Sequence, residues 1–169
     1  KNFGAAGDGQ TDDTAAIQHA IRDGDGLLEF PRGNYRITRP LEITLEESGP
    51  FGISGSMGTA TIVMAGPGPA FRLLGNHGGT GDPGSLKPGV WQSERMPAVR
   101  GIAIEGSHAE ADGFEVKGTM QAIFDGVMIR HVRHAIHLVE RNRNIQIVNC
   151  HLYHNRGVGI FMNGLNLHQ

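Results

Sequence analysis

The chain is short of most features that would assign it to a common class. It has one cysteine, Cys150, so an internal disulfide is excluded. At the end of a strand-like pattern, that thiol reads as a small buried hydrophobe. No apolar run reaches the ~18 residues of a membrane span, so no membrane partner is expected. Fifteen Lys and Arg against 17 Asp and Glu leave a formal net charge of −2. That lacks the positive footprint of a nucleic-acid or general polyanion binder. Residues 3–10 are glycine-rich, but no Gly-Lys-Ser/Thr follows and no strand precedes them, which argues against a nucleotide loop. No Gly-x-y period is present, so collagen is excluded. Aromatics make up only 6% of the 169 residues. The residues themselves leave the cellular compartment open.

Glycine is abundant, at 26 residues, which suits many tight turns between short strands. The organising feature is an apolar alternation in residues 101–169. One series is Ile102-Ala103-Ile104, Val127-Met128-Ile129, Ile145-Gln146-Ile147 and Leu165-Asn166-Leu167. A second is Phe114-Glu115-Val116, Ile136-His137-Leu138 and Ile160-Phe161-Met162. Equivalent positions recur about every 18–25 residues, the range of stacked repeats. Within each unit the period is two, so each is a short strand with one face inward. No unit buries its face alone; stacking closes the faces into one core. The pattern predicts an all-β parallel solenoid forming a single domain over 1–169. A cap would occupy 1–26, irregular coils with a long loop at 75–98 would fill 27–98, and regular coils would run over 99–169.

Ahead of the coils, Thr11-Asp12-Asp13-Thr14 reads as a helix start, with polar caps and acids at the positive end of the dipole. Ala16, Ile17, Ala20 and Ile21 form one apolar stripe, and Asp23-Gly24 ends the helix. Such a helix would cover the open end of the solenoid, where a bare strand edge invites aggregation. Strands follow at Leu27-Leu28-Glu29-Phe30, Tyr35-Arg36-Ile37, Pro40-Leu41-Glu42-Ile43, Phe51-Gly52-Ile53, Thr61-Ile62-Val63-Met64 and Ala70-Phe71-Arg72-Leu73, each bounded by Gly, Pro or Ser.

Phe3-Gly4-Ala5, Gly7-Asp8-Gly9, Thr11-Asp12-Asp13-Thr14, Ala16-Ile17-Gln18 and Phe30-Pro31-Arg32-Gly33-Asn34-Tyr35 together resemble the N-terminal signature of the pectate-lyase-like superfamily. That group contains polysaccharide lyases, glycoside hydrolases and phage tailspikes. The resemblance implies a right-handed parallel β-helix, with the helix as its cap and Asp8, Asp12 and Asp13 in structural roles. It implies a secreted or periplasmic protein with a polysaccharide as substrate. It leaves lyase and hydrolase open, beside a non-catalytic glycan-binding or tailspike-like protein. The aspartate-pair and Gly-His-Gly motifs of the polygalacturonase branch are absent.

On the second series, outward side chains stack in rows about 4.8 Å apart. One row is Glu115, His137 and Phe161; another is Lys117, Val139 and Asn163. A third row takes Asp112 or Gly113 with His134 or Ala135. On the first series, Ala103, Met128, Gln146 and Asn166 are expected in one row, beside Glu105, Arg130, Val148 and His168. One outer face would therefore gather Asp112, Glu115, Lys117, His134, His137 and Glu140. β-Elimination from a uronate needs a cation to neutralise the carboxylate and a base to take the α-proton. Lys117, Arg133 or Arg141 are the candidate cations, and His137 or His134 the base. Hydrolysis would instead use a carboxylate pair among Asp112, Glu115, Asp125 and Glu140.

The long loop holds Trp91, a candidate sugar-stacking residue or the centre of the loop's own small core. Glu94 and Arg95 beside it would contact substrate or be solvated. His131, His134, His137, His151 and His154 do not show metal-ligand spacing, so no metal is expected. Ca²⁺ is known in relatives, but no dense acidic loop is present, and no cofactor is predicted. Asn142, Asn144, Asn149 and Asn155 fall at coil corners, where asparagine accepts left-handed turns. The Leu165-Asn166-Leu167 unit would open a new coil with no cap behind it. The expectation is a fragment of a longer protein whose active site lies on later coils, or self-association through that coil.

Overall fold

The structure, a computed structural model, describes residues 3–164. In chain order the elements are β1 (Asp8–Asp12), α1 (Thr14–Asp23), β2 (Leu27–Glu29), β3 (Gly33–Ile37), β4 (Leu41–Thr44), α2 (Leu45–Ser48), β5 (Gly52–Ser54), β6 (Ala60–Met64) and β7 (Gly68–Leu74). They continue with β8 (Ala98–Arg100), β9 (Ala103–Gly106), β10 (Ala111–Lys117), β11 (Ile123–Asp125), β12 (Met128–Arg130), β13 (Ile136–Glu140), β14 (Gln146–Val148), β15 (His151–Tyr153) and β16 (Ile160–Met162).

The strands form three parallel sheets. The first runs β1-β3-β6-β9-β12-β15, the second β2-β5-β8-β11-β14, and the third β4-β7-β10-β13-β16. Every third strand of a run returns to the same sheet, so the chain is a parallel β-helix, as the alternation predicts.

Each sheet sends one main ladder inward. In the first it is Tyr35, Ile62, Ile104, Ile129 and Leu152. In the second it is Leu28, Ile53, Val99, Phe124 and Ile147. In the third it is Leu41, Phe71, Phe114, Ile136 and Ile160. Phe71 and Phe114 stack with ring centroids 5.4 Å apart, and Phe124 meets Phe114 edge-on at 5.0 Å. All three rings are fully buried. Each such side chain contributes about 1.5–3 kcal/mol by leaving water. At the last described coil, Ile160 and Met162 keep the inward register, yet are 43% and 46% exposed.

One expectation is corrected here. Gln146 does not stack on Met128. It stacks on Ile123 in the second sheet, while Met128 stacks on His151 in the first. The turn joining β11 to β12 is only Gly126-Val127, so two sheets run together in the sequence. Leu165-Asn166-Leu167, Asn166 and His168 lie outside the described residues.

The cap works through specific hydrogen bonds. Ile17 and Ile21 of α1 enter the core. The Gln18 carboxamide pairs with Glu42 of the edge strand β4 as a peptide group would. Its Nε2 donates to Glu42 O and its Oε1 accepts from Glu42 N–H, both at 2.9 Å. The glycine-rich stretch is more ordered than a loop, since its second half is β1, paired with β3. Asp13 precedes α1 but makes no side-chain cap bond. Its carboxylate instead accepts the N–H groups of Ala6 (2.7 Å) and Gly7 (3.0 Å). Asp8 accepts from Gln10 and Thr11, and Asp12 from Thr14 and Thr38. All three acids have the structural roles the resemblance implies.

Corners repeat as well. Gly101, Gly126 and Asn149 occupy one stacked corner with φ of 54°, 63° and 55°. The N–H of each glycine donates to the residue before the next corner position, Asp125 and Val148. Left-handed φ favours Gly and Asn here. Asn142 is buried, accepting from Thr119 and donating to Val116 O. No helix among the described residues is long and apolar enough to cross a membrane.

Candidate functional site

The outer face of the third sheet carries the predicted row. Register aligns Glu42, Arg72, Glu115, His137 and Phe161. Arg72 is held between two acids, with Nη1 2.6 Å from Glu42 Oε1 and Nε 2.7 Å from Glu115 Oε1. Burial works to lower the basicity of the Arg72 guanidinium, but the bonds to Glu42 and Glu115 win and raise it. Lys117 does not stack on Val139 as expected: a register shift after Val116 aligns it with Glu140, with which it pairs at 2.8 Å.

Asp112 differs from its expected position on an open face. It is buried, with its carboxylate accepting from Arg133 Nε (3.1 Å), Arg133 Nη2 (2.6 Å) and the His134 backbone N–H (2.9 Å). The extended β10 begins at Ala111, and the β12–β13 corner of the next coil folds over its first residues. Arg133 is therefore committed to Asp112.

His134, His137 and Phe161 form a contiguous cluster. The His137 and Phe161 rings stack at 4.7 Å, His134 lies 5.0 Å from Phe161, and the two imidazoles are 6.2 Å apart. Hydrogen bonds fix their neutral tautomers. The Val158 N–H donates to His134 Nδ1 at 3.1 Å, so the proton of His134 sits on Nε2. His137 Nε2 lies 2.9 Å from Asn163 Oδ1, an acceptor, so His137 carries its proton there and leaves Nδ1 bare.

The segment after β7 is not structureless. It contains a 3₁₀ turn (Pro83–Ser85) and a π-helical turn (Val90–Glu94), and β8 already starts at Ala98. Glu94 is buried, and its carboxylate accepts the Asn76 N–H at 2.7 Å. It is neither solvated nor presented to a ligand. Arg141, a nominated cation, donates through Nη1 to Gly79 O, and its own carbonyl meets the buried His77 Nδ1 at 2.7 Å. Trp91 is 46% exposed, with the Arg95 guanidinium 4.3 Å from its ring centroid.

Two features go beyond the sequence reading, which had only set Glu105 beside Arg130. On the outer face of the first sheet, Arg130 binds Glu105 (2.7 Å), His131 lies 3.3 Å from the same carboxylate, and His151 stacks on Tyr153 at 4.2 Å. The tyrosine contacts His154 in turn. The second is a charge gradient. Residues 1–127 carry ten Lys and Arg against sixteen Asp and Glu; residues 128–169 carry five Arg, one Glu and six of the nine His. Because coils stack in chain order, the acidic and basic parts separate along the axis. A running charge count exposes this where the overall value of −2 hides it. Among the described residues, no three His, Cys, Asp or Glu side chains converge as a metal site would require. Cys150 is half-buried; burial is the main influence on its thiol and raises it.

Residues 1–66 match the family described as rhamnogalacturonase A/epimerase, pectate lyase-like. Among curated proteins, the non-secreted LysM effector LysM19 of Penicillium expansum is 43% identical over 54 residues, covering 24% of this chain and 4% of its own length. Alginate lyase 7 of Azotobacter vinelandii is 52% identical over 42 residues, covering 22% of this chain and 5% of its own. The chain thus aligns with only a small part of either relative. Among solved structures, ORF18 of Geobacillus virus E2 superposes with a TM-score of 0.60 at 17% identity, over 88% of this chain and 40% of that one. PfbA, a surface adhesin of Streptococcus pneumoniae, gives 0.54 at 17% identity, over 88% and 36%. At that identity the likeness is one of fold. The signature match and the shared architecture bear out the resemblance read from the sequence.

Proposed function

We propose that this chain, a pectate-lyase-like parallel β-helix, holds an extended acidic polysaccharide across the outer face of its third sheet. The observation that carries the reading is the contiguous ring cluster of Phe161, His137 and His134 on a flat, regular surface. Aromatic faces stack on the C–H faces of sugar rings, and imidazoles add hydrogen bonds at their edges. The basic bias of the last coils favours an anionic polymer. The names of the matching family and of the alginate lyase support a polysaccharide as the ligand class. A polymer of that kind is met outside the cytoplasm, which supports a secreted or periplasmic location.

Binding is better supported than cleavage. Lys117, Arg133 and Arg141, the cations nominated for elimination, are engaged with Glu140, Asp112 and Gly79 O. Elimination is the second reading: the bare Nδ1 of His137 would take the α-proton, and water would protonate the leaving oxygen. Affinity electrophoresis through gels containing polygalacturonate, alginate or a neutral glucan tests the first reading. Retardation is expected in an acidic gel, and Phe161→Ala should weaken it about tenfold, the scale of a truncated stacking contact. Retardation by none of the polymers would overturn binding. Ultraviolet absorbance from unsaturated ends that vanishes in His137→Ala would establish the second reading.

A further inference from the structure

The corner between the third and second sheets carries the excursion of residues 75–97, and that excursion is fixed in place. Glu94 is buried against Asn76, His77 is buried beneath the Arg141 carbonyl, and Arg143 donates to Thr80 O (3.3 Å) and Gly81 O (3.1 Å). Despite this, Trp91 is held outward with nearly half its surface in water. A loop merely packing on itself would bury its largest apolar side chain, because that burial is its main source of stability. Trp91 instead forms, with Pro83, Leu86, Pro88 and Gln92, a shallow apolar hollow of about 410 Å³.

A cation lies beside it. Arg72, Lys117, Arg130 and Arg133 each hold a carboxylate. Arg95 lies over the indole and has no carboxylate partner among the described residues. It does not line the hollow, so the guanidinium and the hollow meet Trp91 at different places. The site therefore presents an apolar hollow against one part of the indole and, over the ring itself, a cation with no carboxylate partner among the described residues. Stacking on an indole and pairing with a guanidinium are additive only for a ligand that has both a C–H face and an anion.

We infer that Trp91 and Arg95 form a sugar subsite for a pyranose ring bearing a carboxylate, separate from the ring cluster on the third sheet. The Trp91 face and the two prolines hold the ring, and Arg95 holds the carboxylate. This rests on the polysaccharide reading but uses none of its residues.

Trp91 is the only tryptophan, so intrinsic emission reports on this subsite directly. Short galacturonate and guluronate oligomers, with neutral galactose oligomers of matched length, are titrated into the intact chain. At least one acidic oligomer is expected to change the emission saturably, about tenfold more tightly than the neutral one, the scale of one charge-assisted bond. Arg95→Gln, an exposed substitution that leaves the packing of the loop in place, should reduce the acidic affinity to the neutral level. Phe161→Ala should weaken polymer retardation and leave the Trp91 response unchanged. The subsite is refuted if emission stays constant at concentrations that saturate binding by calorimetry. It is also refuted if neutral and acidic oligomers bind alike, or if Arg95→Gln binds acidic oligomers as the parent does. Undiminished gel retardation of Phe161→Ala, with a retained Trp91 response, would overturn the sheet reading alone.

Discussion

Replacing Asp112 separates a structural role from a chemical one. Asp112→Ala removes both bonds to Arg133 and the acceptor of the His134 N–H. The Arg133 side chain is 49% exposed, so its guanidinium rehydrates, and the lost pair amounts to about 1 kcal/mol or less. The His134 N–H faces a carboxylate that is nearly inaccessible, and leaving it without an acceptor costs about 1–3 kcal/mol. Together the substitution should cost about 1–4 kcal/mol and lower Tm by roughly 2–15 °C for a chain of this size. Asp112→Asn keeps an oxygen for the N–H and should cost only about 1 kcal/mol. A pH signature accompanies this. Burial works to raise the Asp112 carboxyl, but the bonds from Arg133 and the His134 N–H outweigh it and leave the group below its usual value. Its contribution is therefore complete above the unfolded value of 3.8 and is lost as pH falls from there through the lowered folded value. Thermal unfolding followed by circular dichroism at pH 7 and between pH 5 and 2 measures both effects. The reasoning fails if the alanine variant melts with the parent, if asparagine costs as much as alanine, or if the asparagine variant keeps the same acid slope. Both variants should bind acidic polysaccharide as the parent does while folded.

Two further substitutions test the architecture. Phe114→Ala empties the centre of the Phe71–Phe114–Phe124 stack and should cost about 3–5 kcal/mol in urea unfolding, with Phe114→Leu well below that. At Gly126, whose φ is 63°, asparagine should be tolerated, as Asn149 shows one coil on. Valine there should cost about 1–2 kcal/mol for the left-handed backbone, read from the same urea curves.

The inward ladder of the third sheet was legible because Phe114, Ile136 and Ile160 alternate with polar neighbours at near-constant spacing. The cap was legible because its acids and apolar stripe are local. The second sheet was not legible as a separate layer. Its strands have three residues and one inward side chain each, and Gly126-Val127 brings Phe124 so close to Ile129 that a period of two cannot divide them between sheets. At the candidate site, alternation placed Glu115, His137 and Phe161 in one row. It could not show that Arg72, more than forty residues earlier, neutralises Glu115. Nor could it show that a corner closes over Asp112, since both depend on which coil lies above which. The burial of Glu94 has the same origin, because a loop's return path leaves no periodic trace.

The excursion at residues 75–97 leaves one corner, yet β7 and β8 on either side of it pair in unbroken register with β10 and β11. The scaffold therefore treats that corner as a socket. What is plugged into it joins the ladder only at its two ends, through Gly75, His77, Arg95 and Met96, and between them answers to its own anchors, Glu94, the His77 ring and the arginines at 141 and 143. A different peptide grafted between His77 and Glu94 would alter what the surface grips without asking the coils to refold.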